Sequence, residues 1–89
     1  MTKFKSVWDA IEDDPVKKEN LKIRSHLMIE INEQIDAGRA TQMELAKVLE
    51  TTQPRVSALR KSKINEFRLD MLVDFAIRLG LRVSLDVAV

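Results

Sequence analysis

Thr41-Gln42-Met43-Glu44-Leu45-Ala46-Lys47-Val48-Leu49-Glu50-Thr51-Thr52-Gln53-Pro54-Arg55-Val56-Ser57-Ala58-Leu59 is the stretch that decides the fold. It reads as two short helices around a tight turn. The first starts after Thr41 and carries Leu45, Ala46, Val48 and Leu49. The second is capped by Thr51 or Thr52 and takes Pro54 in its first turn, where a missing N–H costs nothing. Leu45, Leu49, Val56 and Leu59 fill the space between the pair, and Ala46 permits close approach. That leaves the outer face of the second helix free.

The flanking sequence supplies more helices. Toward the N-terminus, Leu21, Leu27, Met28, Ile31 and Ile35 line one side of a long helix. Asp14 is its expected N-cap, Pro15 its first residue, and Gly38 its left-handed C-cap. Before it, Phe4, Val7, Trp8 and Ile11 recur at helical spacing with Ser6 as cap, predicting a short helix over 6–12. Toward the C-terminus, Ile64 and Phe67 anchor a connecting loop. Leu69, Leu72, Val73, Ala76, Ile77 and Leu79 then form a last helix ended by Gly80. The final residues differ: Leu81, Val83, Leu85, Val87 and Val89 alternate with Arg82, Ser84 and Asp86, the period of a strand. No other strand candidate exists in the sequence, so this one is expected to pair with its copy across a two-fold axis through Val83, Leu85 and Val87. The expected architecture is therefore all-α, with one domain of five helices over 1–80, the paired short helices at 41–60, and a dimerising strand at 81–89.

Composition narrows the function. The chain has 89 residues, 45% of them apolar and 33% charged, which fits one globular domain. Cys is absent and only one His is present, so disulfides and thiolate chemistry are excluded. His26 has no Cys or second His to share a metal, and the Glu12-Asp13-Asp14 cluster is better explained by helix capping. With no Gly-rich loop and no nucleophile–base pair, neither catalytic residues nor a cofactor are expected. No apolar run exceeds three residues, so no membrane span or signal-peptide core is expected and the cytoplasm is the default compartment. Charge is uneven along the chain. Residues 39–63 carry six basic against two acidic side chains, a net of +4, whereas residues 1–38 carry six basic against eight acidic. A basic island becomes an argument for nucleic acid when the local fold presents it to a groove.

The segment from Thr41 to Leu59 resembles the helix-turn-helix of Cro/CI-type (XRE) repressors, with the pattern TQxELAxxxxxxQxxVSxL. That resemblance implies a lambda-repressor-like DNA-binding domain. More narrowly, Ser6-Val7-Trp8-Asp9-Ala10-Ile11, Gln53-Pro54-Arg55-Val56-Ser57, Phe67-Arg68-Leu69-Asp70 and Leu79-Gly80-Leu81 are similar to small HigA-type antitoxins. It implies a homodimer on a double-stranded DNA operator, autoregulation, and a protein toxin partner of the RNA-cleaving RelE/HigB kind. The family usually has Gly where this chain has Glu50 in the turn. A non-Gly residue there costs about 1 kcal/mol or more if the backbone is left-handed. Two other readings stand beside this one: a stand-alone regulator without a toxin, and a protein-interaction scaffold, against which the basic island argues.

A helical wheel assigns roles on the second helix, whose length of roughly 12 Å suits a major groove. Val56 and Leu59 define the buried side, putting Pro54, Ser57, Ala58 and Lys61 outermost, with Gln53, Arg55 and Arg60 on the flanks. Gln53 suits adenine, Arg55 guanine, and Ser57 either kind of base edge, while Pro54 and Ala58 suit a thymine methyl. Arg55 has an alternative as a surface ion-pair partner. Phosphate contacts are expected from Thr41, Gln42, Thr52, Arg60, Lys61 and Lys63. Trp8 has two readings, a packing anchor or an interface hot spot.

Overall fold

The computed structural model describes residues 14–89, so the short helix expected at 6–12, with Trp8, lies outside the described residues. Four of the five expected helices are present: α1 (Pro15–Ala37), α2 (Gln42–Val48), α3 (Gln53–Arg60) and α4 (Leu69–Arg78), with a 3-10 turn at Ile64–Glu66 in the connecting loop. α1 packs along α4 and touches α3 and the 3-10 turn, while α2 and α3 pack on each other.

The helix starts follow local chemistry. Asp14 caps α1 with Oδ1 accepting from the Val16 and Lys17 amides at 3.0 and 3.3 Å, and Pro15 takes the first position. Thr41 and Glu44 form a reciprocal capping box on α2: the Glu44 amide donates to Thr41 Oγ1 at 3.1 Å and the Thr41 amide donates to Glu44 Oε1 at 2.8 Å. Thr52, of the two candidates, caps α3 by accepting from the Arg55 amide at 3.2 Å.

Three helices end the same way. After α2, the Glu50 amide donates to Lys47 O and the Thr51 amide to Ala46 O; after α3, Ser62 donates to Leu59 O and Lys63 to Ala58 O; after α4, Gly80 donates to Ile77 O and Leu81 to Ala76 O. Each is a Schellman motif, which needs a left-handed residue at its bend. Those residues are Glu50 (φ 53°), Ser62 (φ 57°) and Gly80 (φ 89°). The left-handed turn is thus made at Glu50 without glycine. Gly38 departs from expectation: its φ of −102° and ψ of −171° are extended, and its amide simply closes on Ile35 O at 3.1 Å.

The core joins Met28, Ile31 and Ile35 of α1 to Leu45, Ala46 and Leu49, to Val56, Ala58 and Leu59, and to Phe67, Leu72, Phe75 and Ala76. Phe67 and Phe75 meet edge to face with centroids 6.2 Å apart. The connecting loop is anchored as expected, with Phe67 buried and Ile64 packed at the core's edge. Ile77, expected on the helical stripe of α4, is instead exposed.

The expected strand at 81–89 does not form within one chain: no described residue is in a strand. Leu81 packs on the core, but beyond it Val83, Leu85 and Val87 are 40%, 84% and 80% exposed. The physical reason is that a strand needs a neighbouring backbone for its N–H and C=O groups, and the helical elements offer none.

Candidate nucleic-acid interface

α3 is held by its apolar side. Val56, Ala58 and Leu59 are buried, while Gln53, Pro54 and Lys61 are exposed and Ser57 is half-buried. Positions 53, 54, 57 and 61 recur at helical spacing, so they form one continuous outward stripe. Gln53 is the first residue of α3, and it shares a groove with Met43 and Lys47 of α2. Gln42, the first residue of α2, is exposed, with Thr41 ahead of it already used as the cap. Thr52 stands in the same position relative to α3. Lys61 and Lys63 are exposed where the chain leaves α3.

Three of the residues expected at the interface are placed otherwise. Ala58 is 8% exposed and belongs to the core, so it does not lie on the outermost face. A wheel drawn from Val56 and Leu59 misses this because α3 is covered on two sides. α2 packs on one and α1 touches another, with Ala58 in the core cluster they share. The loop after α3 engages Arg55. Its Nη1 donates to Glu66 O at 2.8 Å and its guanidinium lies 5.5 Å from the centroid of the Phe67 ring. In the free chain this side chain ties α3 to the loop and makes no ion pair among the described residues. Arg60 turns toward α1, donating to Asn32 Oδ1 at 2.6 Å and Asn32 O at 3.2 Å and pairing with Asp36. Three of the five N–H donors of Arg60 are thereby engaged on α1.

Two positioning residues were missed from sequence. Arg24 Nη1 donates to Ile64 O at 3.1 Å and to Phe67 O at 3.2 Å, while its Nε donates to Asn20 Oδ1 at 2.6 Å. Asn32 Nδ2 donates to Leu59 O at 3.1 Å, near the C-terminal end of α3. A signal was available for Arg24: it falls on the Leu21–Met28 stripe, three residues after one and four before the other. A charge at a buried register is an anchor in waiting. Together Arg24, Asn32 and Arg60 fix α3 and the loop behind it against the long helix, which holds the outward stripe rigid.

Among the described residues no group of three or more His, Cys, Asp or Glu side chains could hold a metal ion, and no helix is long and apolar enough to cross a membrane. A search of curated proteins gave no match. The family model described as a helix-turn-helix domain matches residues 10–88, a span that includes α2, the Glu50 turn and α3 with its outward stripe. The chain therefore belongs to the helix-turn-helix family of DNA-binding domains.

Proposed function

We propose that this protein is a sequence-specific, DNA-binding transcriptional repressor that lays α3 into the major groove. The observation that carries this reading is the stripe of Gln53, Pro54, Ser57 and Lys61, solvent-facing on a helix whose other side is locked into the core. Small side chains at 54 and 57 let the backbone approach the bases, leaving Gln53 to read adenine and Ser57 to bond either edge. Gln42, Lys61 and Lys63 meet phosphates on either side, with the caps Thr41 and Thr52 presenting helix N-termini to the backbone. Two copies of the chain read two half-sites, as is usual for helix-turn-helix dimers.

The similarity to HigA-type antitoxins supports a narrower role, in which the repressor also neutralises an RNA-cleaving toxin and represses the operon encoding both. An adjacent gene for such a toxin supports this role; its absence favours a stand-alone regulator.

Titration against a duplex selected from a random pool, and against unselected duplex, tests the DNA reading. Lys61→Ala is expected to weaken binding to both alike and to lower the salt slope by about one unit, as loss of one phosphate contact requires. Gln53→Ala is expected to cost about 1–3 kcal/mol on the selected duplex and to relax preference at one base position. Unchanged affinity and selectivity in both variants would remove α3 from the interface.

A further inference from the structure

Resting on the dimeric reading above, we infer that residues 81–87 of two copies pair antiparallel about a two-fold axis at Ser84, in a register chosen by Arg82 facing Asp86 of the second copy. Three observations converge on a second copy as the occupant. The segment is anchored at one end only. The Leu81 amide donates a hydrogen bond to Ala76 O at 2.9 Å and its side chain packs on the core, whereas Leu85 and Val87 stand in solvent. A groove beside the anchored end, half apolar and half polar, is walled by His26, Leu27 and Glu30 of α1, Ala76 of α4, and residues 81–84. Among the described residues, the ion pairs are Lys22–Glu19, Arg60–Asp36 and Arg78–Glu50, so Arg82 and Asp86 have no ion-pair partner among those residues.

The polar face of the segment reads Arg82, Ser84, Asp86, with opposite charges at its two ends and a neutral residue at the centre. Turned end for end, that face is complementary to itself. With the axis at Ser84, Arg82 of each copy faces Asp86 of the other, two pairs per dimer. On the apolar face Leu81 meets Val87 and Val83 meets Leu85. The exposed end of each copy is thereby carried to the other's groove, covering the side chains that one chain leaves bare. A slip of one residue sets apolar side chains against polar ones and is excluded by the pleat. An axis at Leu85 faces Arg82 with Ala88 and Asp86 with Ser84. An axis at Val83 faces Arg82 with Ser84 and sets Asp86 against Gly80, which is bent out of strand geometry at φ 89°. Only the Ser84 axis satisfies both charges, and directly opposed charges are the pairs that stabilise a ladder, as like charges disrupt it.

The test is a charge exchange in the full chain, read by sedimentation equilibrium at low salt, with helix content by circular dichroism confirming that each variant folds. In R82D two acidic pairs face each other across the axis, and in D86R two basic pairs do. Each variant alone is expected to dimerise at least about tenfold more weakly than the unaltered chain. Mixed in equal amounts, R82D and D86R put opposite charges at both facing positions, so the heterodimer is expected to recover the unaltered chain's affinity. The double variant R82D/D86R is expected to recover it as a homodimer. If all variants dimerise as tightly as the unaltered chain, the register is overturned while the dimer stands. Should the unaltered chain sediment as a monomer throughout, the dimeric reading itself falls.

Discussion

Glu50 and Ser62 both hold a left-handed backbone that favours glycine, and the chain pays for neither with a glycine. The compensation differs between them. Glu50 accepts from Arg78 Nη1 at 2.8 Å, yet both side chains are well exposed, so the pair adds little. What holds each residue in place is its Schellman motif, whose two amide bonds cannot form without the bend. Glu50→Gly and Ser62→Gly are therefore expected to stabilise the fold by about 1 kcal/mol each, the strain released at that position. Urea denaturation checks this, and a loss of stability in both would show that the side chains hold the turns. The larger increment is expected at Ser62, because Glu50→Gly also gives up the Arg78 contact.

At the scale of elements, α3 is positioned less by its own periodicity than by groups reaching it from α1 and the loop. Asn32 holds Leu59 O, Arg60 reaches back to Asn32 and Asp36, and Arg55 closes on Glu66 O. Arg24 clamps the same loop from behind through the Ile64 and Phe67 carbonyls. Arg24→Met keeps the aliphatic stem but leaves both carbonyls without that donor. It is expected to cost about 1–3 kcal/mol of stability, the range for stranded, partly buried acceptors of a charged donor. A thermal or chemical unfolding midpoint unchanged by Arg24→Met would demote the clamp to a surface contact.

Across the whole molecule, charge divides the chain by task. The basic excess falls on residues 39–63, around α2 and α3, whereas residues 1–38 carry an acidic excess. On the proposed antitoxin reading, the acidic excess of these residues suits a basic, RNA-cleaving partner. A chain beginning at Asp14 keeps the α1 cap and every core residue described, while removing Trp8 and the rest of the first 13 residues. It is expected to retain DNA binding and to lose neutralisation of such a toxin. Growth rescue assays and DNA titration on the same truncated chain check the two halves. Full neutralisation by that chain would move the toxin's docking surface onto residues 14–89.

The helices at 15–37, 42–48, 53–60 and 69–78 were legible from sequence because their signals are local. Asp14, Thr41 and Thr52 cap amides no more than three residues away, and the Leu21-to-Ile35 stripe repeats within one helix. The outward positions Pro54, Ser57 and Lys61 followed from the same periodicity, which puts Gln53 on the flank. Tertiary structure alone decided the rest. Ala58 became core, and Arg55 and Arg60 became ties, because the loop and α1 close over flanks that a single-helix wheel treats as open. Gly38 is extended and not left-handed. Alternation at 81–89 predicts a strand that the described residues do not form, because a strand depends on a second backbone, which no single chain of this fold supplies.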